Sequence, residues 1–305
     1  MSTEFVTVFQ QVIILFVLIF IGYVCAKKRV FTEEGIKNIT KFVLFFVTPC
    51  VIISSFDREY DPQKLYNLGM VTALAVAIHI FNIVCARLFI REKEENKLRV
   101  YRYGAIFSNC GYMALPLQSA LLGSDGVFYG AAFIAVFNLF TWTYGSYEMG
   151  GTISPKKIIF NPGIIGICIG LILFLTPLQL PTVIGTPVAS LAALNTPLPM
   201  VIIGFYLSQI TSLKIIGNIQ FVWSVALRVI VLPVSVMLLL VALHVKGIVL
   251  DVIMIACATP TAANTTMFAS LFNRDGKIAA AMVSVSTVFA IITMPLIISW
   301  AIYLH

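Results

Sequence analysis

Charge is scarce in this sequence. Of 305 residues only 11% are Asp, Glu, Lys or Arg, while 60% are apolar. A soluble domain carries about 25% charged and roughly 45–50% apolar residues. A water-soluble fold has no way to cover so much apolar surface, so a soluble enzyme, a nucleic-acid binder and a disordered scaffold are all excluded. Acidic residues are scarcer still: none of the thirteen falls in the middle of an apolar run. That leaves no carboxylate for an intramembrane sodium site or an Asp/Glu proton relay. The three histidines, His79, His244 and His305, lie far apart, and there is no HExxH, no GxSxG and no paired intramembrane aspartate. Their absence argues against a membrane enzyme. The six cysteines (Cys25, Cys50, Cys85, Cys110, Cys168 and Cys257) have no CxxC spacing and no histidine neighbour. They read as small buried hydrophobes, not disulfides or metal ligands, and no cofactor is expected. The N-terminus lacks a basic n-region and its first apolar run is long for a cleaved signal, so it is expected to stay as a span.

What is present is long apolar sequence. Ten segments approach the roughly 20 residues that a membrane helix needs: 5–26, 38–56, 66–90, 103–122, 126–147, 158–176, 186–209, 217–243, 249–271 and 277–304. Turn chemistry separates them at Asp61-Pro62, Ser124-Asp125-Gly126, Ser154-Pro155, Thr176-Pro177 and Asn273 to Gly276. The expected fold is an all-α polytopic membrane protein of ten transmembrane helices. Sixteen of the twenty Lys and Arg fall in odd-numbered loops, for example Lys27, Lys28, Arg87, Arg91, Lys93, Lys156, Lys157, Lys214 and Arg274; only Arg58, Lys64 and Lys246 fall in even-numbered ones. The positive-inside rule then puts the odd loops in the cytoplasm and both termini outside the cytoplasmic membrane. The net charge of +7 is explained by this topology without nucleic acid.

The two halves, residues 1–150 and 151–305, match in register at an offset of 150. Pro49 pairs with Pro199, Val51-Ile52-Ile53 with Val201-Ile202-Ile203, and Asp125-Gly126 with Asp275-Gly276. Each half holds five spans, an odd number, so the second copy is expected to be inverted. Inverted repeats with a site at their interface mark secondary transporters. Spans four and nine are poor helices at matching places: Ser108 to Pro116 contains Asn109, Gly111, Tyr112 and Pro116, and Ala258 to Thr266 contains Pro260, Thr261, Asn264 and Thr265. Two interpretations stay open. Either these are Pro kinks closed by hydroxyls, or they are broken helices whose positive N-terminal ends and polar side chains hold an anion at the midplane. Asn138 on span five is a further pocket candidate, with Trp142 and Tyr144 lining or anchoring. Asn82 and Asn195 read as helix–helix hydrogen bonders.

The run Ser108-Asn109-Cys110-Gly111-Tyr112-Met113-Ala114-Leu115-Pro116-Leu117, with Leu122 to Gly126, Phe137 to Gly145, Asn161-Pro162-Gly163-Ile164, Leu227-Arg228, Leu232-Pro233, Pro260 to Asp275, Ser286-Thr287 and Met294-Pro295, resembles the auxin efflux carrier family in order and spacing. The chain lacks the long cytoplasmic loop of the plant PIN-type carriers and so resembles a compact prokaryotic member. The resemblance implies a fold like that of bile-acid/sodium symporters and sodium/proton antiporters, with two crossed broken helices. It implies a moving core of spans 3–5 and 8–10, a panel of spans 1–2 and 6–7, and elevator-type alternating access. It also implies a small organic anion as substrate, a dicarboxylate or auxin-like acid, and it allows a homodimer. Tyr112 departs from the second Asn of plant members.

Arg228 is the one clear charge in the interior of a span, away from its ends. It either faces the crossover, offsetting helix carbonyls or attracting the anion, or snorkels to the inner interface. His79 is either a proton group or a satisfied core residue. The expected activity is uniport or exchange of an anion down its gradient and the membrane potential. Proton coupling, a channel or a sensor are the alternatives.

Overall fold

In lipid every backbone N–H and C=O has to be satisfied within its own segment, so long apolar runs fold as helices. The computed structural model describes residues 3–152, 160–176, 178–209 and 218–304. Their helices are α1 (Thr3–Lys27), α2 (Glu33–Phe56), α3 (Pro62–Phe89), α4 (Glu95–Ile106), α5 (Cys110–Glu148), α6 (Pro162–Leu175), α7 (Thr182–Ser208), α8 (Ile219–Ala242), α9 (Gly247–Ala258), α10 (Asn264–Leu271) and α11 (Gly276–Tyr303). Among these residues there is no strand, only one isolated bridge. Seven helices (α1, α2, α3, α5, α7, α8 and α11) are long and apolar enough to cross a bilayer, and α6 and α9 are apolar but shorter. Only 28% to 61% of each apolar window is buried inside the protein. The remainder, including Phe20, Ile80, Phe289 and Trp300, is exposed and needs lipid rather than water. The chain is an all-helical, multi-pass membrane protein.

Helix starts follow local chemistry. Asp61, Asn161, Asn218 and Asp275 each accept backbone N–H bonds from the first turn of α3, α6, α8 and α11, which satisfies donors that a helix leaves open. Pro62 and Pro162 follow two of these caps, where a missing N–H costs nothing. Interior prolines are handled differently. The π turns Val43–Val47, Cys110–Ala114 and Leu227–Val231 end two residues ahead of Pro49, Pro116 and Pro233. The wider turn relieves the contact between a proline ring and the carbonyl four residues back.

α5 is two rods. Gly123 has φ +65° and ψ −151° inside it. A Cβ at Gly130 would lie 2.1 Å from Gln118 Oε1 and 3.0 Å from Leu115. Twelve residues along a straight helix span about 18 Å, so the second rod folds back on the first. This turn is tied to the α2–α3 loop. Arg58 bonds Asp125, donates to Ser124 O at 2.9 Å and Ser55 O at 2.7 Å, and lies 4.6 Å over the Phe128 ring. Lys64 adds a 3.3 Å contact to Asp125. Partial burial opposes ionisation of Asp125, but the hydrogen bonds from Arg58 and Lys64 hold its carboxyl below the usual aspartate value.

α1 packs on α7 more extensively than any other pair, and α2 packs on α6. Gly22 and Gly204 make the first contact: a Cβ at Gly204 would fall 1.9 Å from Ile19 O, and one at Gly22 would fall 2.3 Å from Val201 O. A small apolar cluster of Ile36, Val43, Val47, Ile202 and Phe205 joins α2 to α7, apart from the main core. The main core holds α3, α4, α5, α8, α9 and α11 together, with parts of α1, α2 and α7. Cysteine burial departs from expectation. Cys110 and Cys257 are buried, Cys25, Cys50 and Cys85 are half-buried, and Cys168 is exposed on α6. A short helix flanked by lipid has an apolar outer face, and a thiol is soft enough to sit there. Ser154-Pro155, Lys156, Lys157, Pro177 and Lys214 lie outside the described residues.

Candidate functional site

Two interrupted segments meet in the core. α4 ends at Ile106, the chain runs unwound through Phe107, Ser108 and Asn109, and α5 begins at Cys110. α9 ends at Ala258, Thr259 to Ala263 are unwound, and α10 begins at Asn264. The unwound stretches bond each other in antiparallel fashion through a Ser108–Thr261 bridge. Asn109 N–H donates to Pro260 O at 2.8 Å, and Ala262 N–H donates to Phe107 O at 2.9 Å. Each break thus satisfies the backbone groups that the other leaves open, which is what low-dielectric surroundings demand.

The polarity of this crossing is sorted. Arg228 is 1% exposed. Its guanidinium donates to Ala105 O and Ile106 O at 3.3 Å each and bonds Cys257 O. Asn82 Nδ2 reaches Ile106 O at 3.4 Å. One cation therefore covers the C-terminal, partially negative ends of both α4 and α9. Among the described residues the N-terminal, partially positive ends of α5 and α10 have no side-chain cap and no acid in their first turn. Arg228 faces the crossing rather than snorkelling outward.

The other predicted residues separate into those the crossing collects and those it does not. Asn109 is 2% exposed and its Nδ2 has no hydrogen-bond partner. Pro260 and Thr261 lie in the second break. Thr261 N–H donates to Ser286 Oγ at 3.1 Å, and its hydroxyl donates to Gly104 O at 2.9 Å. Asn264 opens α10, with its Oδ1 3.4 Å from the Tyr103 hydroxyl, and Thr265 donates to Ala262 O at 2.7 Å. Gly111 and Tyr112 form the first turn of α5. A Cβ at Gly111 would meet nothing within 4 Å, and Tyr112 packs against both apolar clusters. Pro116 lies inside α5, not in the break. The unwound residues stop at Asn109 because the π turn Cys110–Ala114 already accommodates the proline. Asn138 is directed to the start of α6, where its Nδ2 would lie 2.5 Å from a Cβ on Gly163. His79 is 2% exposed, bonds Ala75 O at 2.7 Å through Nδ1, and is ringed by Phe107, Phe133, Phe137 and Phe140. It is a satisfied core histidine.

Sequence reasoning missed Tyr103 and the crossing roles of Ser286 and Asn82. Their partners are distant in sequence, so no local spacing marks them. Glu148 is also buried, at 4% exposure. Among the described residues no group of three His, Cys, Asp or Glu side chains is arranged for a metal ion.

Comparison with known proteins points to membrane transport. An uncharacterized transporter of Methanothermobacter thermautotrophicus is 22% identical over 303 residues, covering 97% of this chain and 98% of its own. An uncharacterized transporter of Methanocaldococcus jannaschii is 24% identical over 298 residues, covering 93% of this chain and 96% of its own. The family profile described as "Membrane transport protein" matches residues 7–152 and 147–298. The chain belongs to this family of membrane transport proteins, the auxin efflux carriers.

Proposed function

We propose that the chain is a secondary carrier of a small organic anion, a dicarboxylate or an auxin-like carboxylic acid. The observation that carries this reading is the polarity of the crossing. Arg228 neutralises both C-terminal ends, so an anion meets two N-terminal ends worth about half a positive charge each. The buried, unpartnered Asn109 Nδ2 is the donor that a carboxylate oxygen takes, and Tyr112 shapes the pocket beside the open space at Gly111. Thr261, Asn264 and Thr265 supply further polar contacts.

The carrier has ten crossings in two inverted halves. The reversal of α5 at Gly123 and the shorter α6 and α9 supply the three beyond the seven long helices. The basic loops face the cytoplasm and both termini lie outside. Spans 3–5 and 8–10 move as a core against a panel of spans 1–2 and 6–7. The dense α1–α7 and α2–α6 contacts and the separate α2–α7 cluster support that division. Transport is uniport or exchange, since the crossing carries a fixed guanidinium and no carboxylate. Net export of a monovalent anion then gains about 2.3 kcal/mol per 100 mV. Proteoliposomes with an imposed potassium diffusion potential test this. Saturable carboxylate flux that accelerates with an inside-negative potential in the export direction is expected. Flux that ignores the potential refutes electrogenic uniport, and flux without saturation refutes a carrier.

A further inference from the structure

We propose that the cleft between the ends of α3, α4 and α5, on the basic face, binds a phosphate-type oxyanion through Arg87 and Arg102. The cleft holds about 360 Å³ and is lined by Arg87, Glu95, Arg99, Arg102, Tyr147 and Glu148. It lies outside the crossing and has no part in the transport reading.

The donors on its wall are unequally used. Arg99 is fully engaged, with Glu95 at 2.6 and 2.9 Å and with Glu148 O at 2.7 Å. Arg87 and Arg102 share one carboxylate, that of Glu148, and each approaches it only to 3.9 Å. That is beyond a direct hydrogen bond. Glu148 takes the Tyr144 hydroxyl instead, at 2.7 Å, and that hydroxyl accepts from Arg87 Nε at 2.9 Å, which leaves the Nη groups of Arg87 to the recess. Arg102 Nε is buried with no partner, although its Nη2 reaches Ile90 O at 3.2 Å. Two guanidiniums against one carboxylate leave a positive charge uncompensated in a recess. A buried guanidinium donor without an acceptor calls for a ligand atom. The fork of an arginine matches the paired oxygens of a phosphate better than a lone halide.

The position favours one source. Arg87 sits in the last turn of α3, beside Leu88 and Phe89, which are 56% and 53% exposed. An apolar outer surface next to a basic recess is where lipid meets water, at headgroup level. The phosphate of an anionic phospholipid reaches it there, and a free phosphate ion offers the same oxygens from solution.

The test uses the full chain in phosphatidylcholine nanodiscs, with melting temperature as the readout. Potassium phosphate is titrated against potassium chloride at equal ionic strength, and a parallel set of nanodiscs contains phosphatidylglycerol. Stabilisation by phosphate assigns a soluble anion; stabilisation by phosphatidylglycerol alone assigns the lipid; either supports the site. Arg87→Gln keeps the fold, since its side chain is 48% exposed. It is expected to weaken the response about tenfold, and Glu148→Gln, by removing the internal competitor, to strengthen it by about the same factor. No stabilisation in either arm, an equal effect of chloride, or a response that both substitutions leave unchanged overturns the proposal.

Discussion

Replacing Arg228 by Gln removes the one cation at the crossing, and the size of the effect follows from its contacts. The guanidinium makes one shared contact to Ala105 O and Ile106 O and one to Cys257 O. Each charge-assisted bond is worth about 1.5–3 kcal/mol, and each carbonyl left buried and unmatched costs about 1–3 kcal/mol. Against this stands the burden of holding a charge in low dielectric, which the substitution relieves. With three carbonyls losing their donor and that relief set against them, the net loss is on the order of 3 kcal/mol. For a chain of this size that lowers the melting temperature by on the order of 10 °C. Arg228→Lys restores charge, but a single ammonium lacks the fork that spans both helix ends, so it is expected to recover part of the loss. The assay is scanning fluorimetry of the purified variants in one detergent, alongside carboxylate flux. A Gln variant that melts within about 2 °C of the parent and transports normally refutes the claim that Arg228 holds the two broken ends together.

Other expectations follow from contacts away from the crossing. Gly204→Val drives a side chain into Ile19 O and is expected to destabilise the α1–α7 pair by at least about 1–3 kcal/mol, read as a lower melting temperature. The Asp125 carboxyl is held below its ordinary value of 3.8 by Arg58 and Lys64. Its contribution is therefore complete above pH 4 and lost as the pH falls further. Asp125→Asn should flatten the acid limb of a melting-temperature profile below pH 4, and an unchanged limb contradicts the pairing. His79→Phe, with His79 already ringed by aromatic side chains and bonded to Ala75 O, should leave the pH dependence of flux unaltered; a shifted profile makes His79 a proton group after all.

The architecture was legible where its causes are local. Asp61-Pro62 and Asn161-Pro162 became N-caps with a proline in the first turn, and Asp275 capped α11. These signals act through backbone groups two or three residues away, so a window of sequence contains them. The place of the first break was only partly legible. Gly111 and Pro116 drew attention to the right region, but a π turn took up the proline and the unwound stretch fell upstream, at Phe107 to Asn109. That Arg228 could offset helix carbonyls was legible; which helix ends it covers, those of α4 and α9, was not, because backbone carbonyls carry no residue signature. Asn138 shows the converse. Its polarity within an apolar span suggests a pocket, yet its amide nitrogen lies at Gly163, beside the residue Asn161 that caps α6.

The most direct test is calorimetric titration of succinate and an indole carboxylic acid onto the parent chain, Asn109→Ala and Asn109→Asp. Asn109 Nδ2 is buried and unpartnered beside the two N-terminal ends, so the parent should bind at least one probe. The Ala variant should bind it about tenfold more weakly, and the Asp variant, which puts a negative charge where the anion belongs, should not bind it measurably. Equal affinity in all three proteins contradicts an anion site at the crossing.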